Sequence, residues 1–169
     1  MPVGIVGLRS IEQEVARRLS TSGVDLKWLD PRAKSDIDIP CVEALQNLAD
    51  QCRGLIVYCR PDAPTHHLIN EDTLARLSPE GVLVNVSRGS LLDEDALIAA
   101  LRSNRLGGAG LEIFDPEPTS GKRWSRVPNV ILTPHQGGTT YETLFAQAQV
   151  AQTDIECFLD GRTLPSSVL

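Results

Sequence analysis

The chain has 169 residues and a formal net charge of −6. That length suits one well-buried domain and is short for two, and the acidic balance, with no Lys/Arg cluster to offset it, argues against a nucleic-acid partner. No apolar run is long enough to cross a bilayer, and the first residues lack a basic segment leading into an apolar core, so a cytoplasmic protein with no membrane partner is expected.

The stretch "PVGIVGLRSIEQEVARRL" (2–19) reads as a buried strand over 2–7, a tight turn at Gly7 and a helix from about Ile11 to Leu19. A second strand, "VDLKWLD" (24–30), ends in Asp30. Helical spacing follows over 41–52, then a short buried strand at 54–59. A short helix at 70–77 carries acids in its first turn, which suits the helix dipole. Next come a strand at 81–87, a strong helix at 93–106, strands at 108–114 and 129–135, and a long helix at 141–159. The main irregular segment is "DPEPTSGKRWSRVPN" (115–129), in the position after a strand where active-site loops tend to sit. Continuous apolar strands alternating with helices predict a doubly wound parallel sheet of Rossmann-like type, in three layers and one domain over residues 1–169. Ligands of such folds sit at the carboxyl ends of the strands.

The four cysteines, Cys41, Cys52, Cys59 and Cys157, match no metal-ligand spacing and read as small hydrophobes in a reducing compartment, with no metal site. His66 and His67 read as loop or helix-entry residues. Trp28 and Trp124 read as packing residues.

At "NVSRGSLLDEDALIAALRSNRLGGAGLEIFDPEP" followed by "PNVILTPHQGG" (85–118 and 128–138) the chain resembles the NAD-binding domain of the D-isomer-specific 2-hydroxyacid dehydrogenases. The similarity runs from Val3 to about Val168. It implies a small-molecule substrate whose carboxylate is held by Arg88, in "VSRG". It implies a general acid/base at His135, in "TPH", tuned by Glu117, in "DPEP". It implies cofactor contacts from Gly7, Arg9, Ser10, Ile11, Asp30 and Glu112. Asp30, as the acid after the second strand, would bind the adenosine ribose and favour NAD over its 2′-phosphorylated form. The chemistry agrees: moving a hydride from a 2-hydroxy acid needs a base for the hydroxyl proton and a cation for the carboxylate, tasks suited to a carboxylate-tuned histidine and to arginine's planar fork.

The chain also departs from the family. The segment that forms the family's substrate domain is not found in these residues, and a partner chain, a homodimer, or the sequence being a fragment of a longer protein would each account for this. Of the three glycines of the phosphate turn only Gly7 is present; Arg9 and Glu12 occupy the other positions. A like-charge pair at ~5 Å and an effective dielectric of ~20 costs roughly 3 kcal/mol, against about 8 kcal/mol for micromolar binding. Arg60, Asp62 and Gln136 also differ from the usual residues. The degenerate turn leads to the expectation that efficient NAD binding is lost, possession of any cofactor is doubtful, and the Arg88/Glu117/His135 set serves non-redox acid–base chemistry of isomerase, lyase or cyclase type. The alternatives are an NAD-dependent D-2-hydroxyacid oxidoreductase domain completed by a partner or dimer, and a non-catalytic binding module.

Overall fold

The structure, a computed structural model, describes residues 1–8, 10–30, 38–61 and 63–166 of the chain. Six strands, β1 (Pro2–Val6), β2 (Asp25–Leu29), β3 (Gly54–Val57), β4 (Val82–Asn85), β5 (Gly108–Leu111) and β6 (Val130–Leu132), form one sheet of order β2-β1-β3-β4-β5-β6. Every pairing is parallel. The order reverses between β1 and β3, so the connections leaving these neighbours diverge and open a crevice beyond their carboxyl ends. This is the Rossmann-like α/β architecture expected from the alternation of elements.

Side-chain alternation along the strands divides the core between the two faces of the sheet. On one face Val3, Ile5, Leu26 and Trp28 are buried with Leu8 and with Ala16 of α1 (Ser10–Ser20). On the other, Leu55, Val57, Leu83, Ala109 and Leu111 pack with Leu48 of α2 (Leu45–Gln51), Leu74 of α3 (Glu71–Arg76) and Leu97 and Leu101 of α4 (Glu94–Arg102). Capping fixes where helices begin: Asn70 accepts the Thr73 N–H at 3.1 Å at the head of α3, and Asp93 accepts the Ala96 N–H at 3.0 Å at the head of α4. Trp28 and Trp124 are both buried, as expected of packing residues, and each indole N–H has an acceptor, Ile39 O and Thr119 Oγ1 respectively.

Two local expectations are revised. The helix expected over 41–52 starts only at Leu45, because Cys41 pairs with Trp28 beside β2; Trp28 N–H donates to Pro40 O and Val42 N–H to Trp28 O, at 3.1 and 2.8 Å. The irregular segment 115–129 holds one short helix, α5 (Gly121–Trp124).

The described residues form two compact units, Met1–Pro134, which holds the whole sheet, and His135–Leu169. The second is built on α6 (Tyr141–Leu159), capped by Thr140, which accepts the Thr143 N–H at 3.2 Å. Its described tail bonds back to α6: Arg162 N–H donates to Cys157 O at 2.8 Å, and the Ser166 hydroxyl meets the Asp154 carboxylate. Among the described residues no helix is long and apolar enough to cross a membrane.

Leu48 is fully buried, whereas Ile131, on β6, is 73% exposed. Truncating Leu48→Ala is expected to cost about 2–5 kcal/mol in denaturant unfolding, and Ile131→Ala less than about 0.5 kcal/mol.

Candidate active site

The crevice begins at Gly7, directly after β1. Its φ is +96°, and a Cβ there would meet the Tyr58 carbonyl oxygen at 3.0 Å, so both the backbone conformation and the close approach to the chain leaving β3 call for glycine. Gly7 N–H donates to Leu29 O at 2.7 Å, and Leu8 N–H donates to Asp30 Oδ2 at 3.1 Å. Asp30 is thereby fixed beside the turn. α1 starts at Ser10, with Ser10 and Ile11 exposed at its amino end, where unpaired N–H groups and the helix dipole favour an anion. The expectations placed on Arg9, Asp62 and Val168 lie outside the described residues.

A cavity of about 320 Å³ lies against this turn, lined by residues 10–12, 58–61 and 87–88. It joins three of the candidate site residues, Ser10, Ile11 and Arg88, to Tyr58, Cys59 and Arg60 of the segment after β3. Arg88 is held by a buried network at the end of β4. Asn85 Nδ2 donates to Arg88 O at 3.0 Å, Asn85 Oδ1 accepts Ser87 N–H at 3.2 Å, and Ser87 Oγ donates to Cys59 O at 2.5 Å. The Arg88 guanidinium donates to Ser87 O at 2.6 Å, and the side chain is exposed to the crevice. Glu112 follows β5, and its N–H donates to Asn85 O at 3.2 Å.

Glu117 belongs to the loop beyond β5. Its Oε1 accepts the Phe114 N–H at 3.0 Å, and the Asp115–Pro116 and Glu117–Pro118 peptide bonds are cis. The loop is anchored by Glu94, 5% exposed, whose two carboxylate oxygens accept Asp115 N–H at 2.9 Å and Arg123 Nε at 3.0 Å. Gly89, the residue after Arg88, packs against the same loop so closely that a Cβ there would overlap the Phe114 carbonyl. Arg88 and the loop that carries Glu117 therefore share one end of the sheet.

His135 opens the second unit, exposed and with φ +53°, followed by a turn in which Gln136 O accepts both the Thr139 N–H and its hydroxyl. A non-glycine residue in the left-handed region stores strain, and such positions concentrate at functional sites. His66 and His67, stacked 4.0 Å apart, are exposed in the loop after β3, as the sequence suggested. Burial raises the Tyr58 phenol above its ordinary range; Glu12 and Glu112 raise it further and Arg88 opposes them. The phenol remains a neutral donor at physiological pH.

Sequence reasoning missed Asn85, Ser87, Tyr58 and Glu94. Asn85 carried a signal, since asparagine is depleted from strand interiors. Glu94 is indistinguishable in sequence from any acid in a first helical turn.

Comparison with known proteins identifies the class. Residues 1–137 match the family D-isomer specific 2-hydroxyacid dehydrogenase, NAD binding domain. The chain is 32% identical to a 2-ketogluconate reductase of Gluconobacter oxydans (99% of this chain, 54% of the relative). It is 34% identical to a hydroxyphenylpyruvate reductase of Plectranthus scutellarioides (99% and 53%). Among solved structures, a 2-hydroxyacid dehydrogenase from Ketogulonicigenium vulgare superposes with a TM-score of 0.90 at 38% identity (99% and 53%). An NADPH-dependent glyoxylate/hydroxypyruvate reductase from Sinorhizobium meliloti, solved with NADP and malonate, gives 0.88 at 33% identity (94% and 50%). The chain belongs to the D-isomer-specific 2-hydroxyacid dehydrogenase family, with residues 1–137 matching its NAD-binding domain. It spans about half the length of these relatives.

This overturns the expectation of a non-redox enzyme of isomerase, lyase or cyclase type: the similar proteins are named reductases, and the matching family domain binds NAD. The doubt about a nicotinamide cofactor goes with it. The described residues fit such a group, in that the Gly7 cradle is intact, the amino end of α1 is open, and Asp30 is held at the end of β2. Judging the turn by its lost glycines undervalued the backbone geometry that Gly7 alone preserves.

Glu94→Ala removes the acceptor at both anchors of the 114–124 loop. It is expected to cost about 1–3 kcal/mol of stability. Hydrogen exchange should show faster exchange confined to that loop.

Proposed function

We propose that the chain is the cofactor-binding half of an NAD-dependent reductase that interconverts a small 2-oxo acid and its D-2-hydroxy acid. The observation that carries this reading is the crevice at the strand-order reversal, which joins the open first turn of α1 to Arg88 in one cavity. Asp30 would take the adenosine ribose hydroxyls, and its negative charge would disfavour a 2′-phosphate. The backbone N–H groups at the start of α1 would take the diphosphate.

When bound, the nicotinamide supplies or accepts the hydride at C2 of the substrate. The chain's own residues handle the rest. Arg88, its backbone pinned by Asn85, would hold the substrate carboxylate and so orient C2. His135 would give a proton to the carbonyl oxygen during reduction and take it back during oxidation, with Glu117 as the carboxylate that supports the imidazolium. The opposing wall of the cleft, which would exclude water, would come from outside residues 1–169.

Binding is tested by titrating NADH and following its fluorescence together with the melting temperature. Saturation at micromolar cofactor and a rise of several degrees are expected; no response at millimolar cofactor would overturn the proposal. With the completed enzyme, Arg88→Lys should raise KM for the 2-oxo acid by about 10–100-fold, because the bidentate fork is lost. His135→Asn should lower kcat by about 10²–10⁴-fold while cofactor affinity holds.

A further inference from the structure

Glu12 is a buried charged group that none of the roles above uses. It lies in the first turn of α1 and is 2% exposed, yet it lines the crevice. Neither of its carboxylate oxygens has a hydrogen-bond partner among the described residues. Arg60 and Arg88 line the same cavity; Arg60 is exposed and the Arg88 guanidinium donates to Ser87 O, and neither hydrogen-bonds the Glu12 carboxylate. A carboxylate buried without donors is costly, and such groups in native proteins call for a partner that completes them.

The partner can be placed by the requirements of hydride transfer, taking the proposed function as given. Arg88 holds the substrate carboxylate, and the ring that exchanges hydride must touch the adjacent C2. The ring therefore lies within a small molecule's length of Arg88, and Arg88 shares a cavity of about 320 Å³ with Glu12. Glu12, Arg88 and Glu112 also face one phenol, that of Tyr58, which burial raises first, the two acids raise further and Arg88 lowers. We infer that Glu12 sets the oxidation-state preference of this domain: its carboxylate, which accepts no hydrogen bond, favours the cationic pyridinium ring of NAD⁺ over the neutral dihydropyridine of NADH. Both forms carry the same diphosphate, so repulsion between Glu12 and the phosphates is common to both and cancels in their ratio. The ring charge remains. For unit charges about 10 Å apart in a partly wetted crevice, the preference is about tenfold.

The test is the pair of dissociation constants for NAD⁺ and NADH, measured by calorimetry on the wild-type chain, on Glu12→Gln and Glu12→Ala, and on Glu14→Gln. Glu14 is the control, an exposed acid on the same helix paired with Arg17 and Arg18. Thermal melting establishes that each variant is folded. Either Glu12 variant should lower the ratio Kd(NADH)/Kd(NAD⁺) about tenfold, with NADH gaining most, while Glu14→Gln leaves it within about twofold. Equal changes for the two forms in folded Glu12 variants would overturn the inference and leave the proposed function standing. So would a shift in Glu14→Gln as large as that in Glu12→Gln. If the wild-type chain and all variants bind neither form, the proposed function falls and takes this inference with it.

Discussion

The close approach of two backbones at Gly7 governs this molecule. The chain leaving β1 must turn toward α1 while passing the carbonyl of Tyr58, which leaves β3. Only a residue without a Cβ, at φ +96°, passes there. That passage keeps β1 and β3 adjacent while their connections run to opposite sides, and the crevice is the space that results. Every group assigned a role within Met1–Pro134 is measured from it. Asp30 is tied to the turn through the Leu8 N–H, Ser10 and Ile11 open the helix beyond it, and Arg88 lines the same cavity from the end of β4, beyond β3.

The architecture was legible because a buried parallel sheet writes itself as apolar runs at regular intervals, and each of the six strands falls inside an expected run. Boundaries were less legible where pairing overrides propensity. Residues 41–44 have helical spacing, but the edge of β2 offers Cys41 a strand partner that no local pattern reveals. Arg88, Glu117 and His135 were singled out because they fall in recognisable short motifs. Their supports were not found, since Asn85, Ser87 and Glu94 act through contacts distant in sequence. Glu94 reaches Asp115 and Arg123, 21 and 29 residues away.

The reading of function from the turn went wrong for a specific physical reason. A glycine count treats each glycine as equally necessary, although the three do different work. The first permits a backbone conformation and a close approach that no other residue can supply, whereas the others keep space clear of side chains. A side chain introduced at Glu12 alters the charge of the cavity without altering the path of the chain. Function then turns on where the carboxylate goes, and burial sends it into the crevice, not into solvent.

How the fold tolerates that carboxylate follows from the same geometry. The amino end of α1 carries the partial positive charge of the helix dipole and a set of N–H groups with no partners inside the helix. An acid in the first turn is stabilised by that field even without a direct hydrogen bond. The field that would draw a diphosphate to this turn is therefore already partly met by Glu12 when the crevice holds no ligand. A ligand entering the site must share it. One that brings a positive charge of its own meets less opposition than one that brings only phosphates, so a single buried acid converts a general anion site into one that reads the charge at the far end of its ligand.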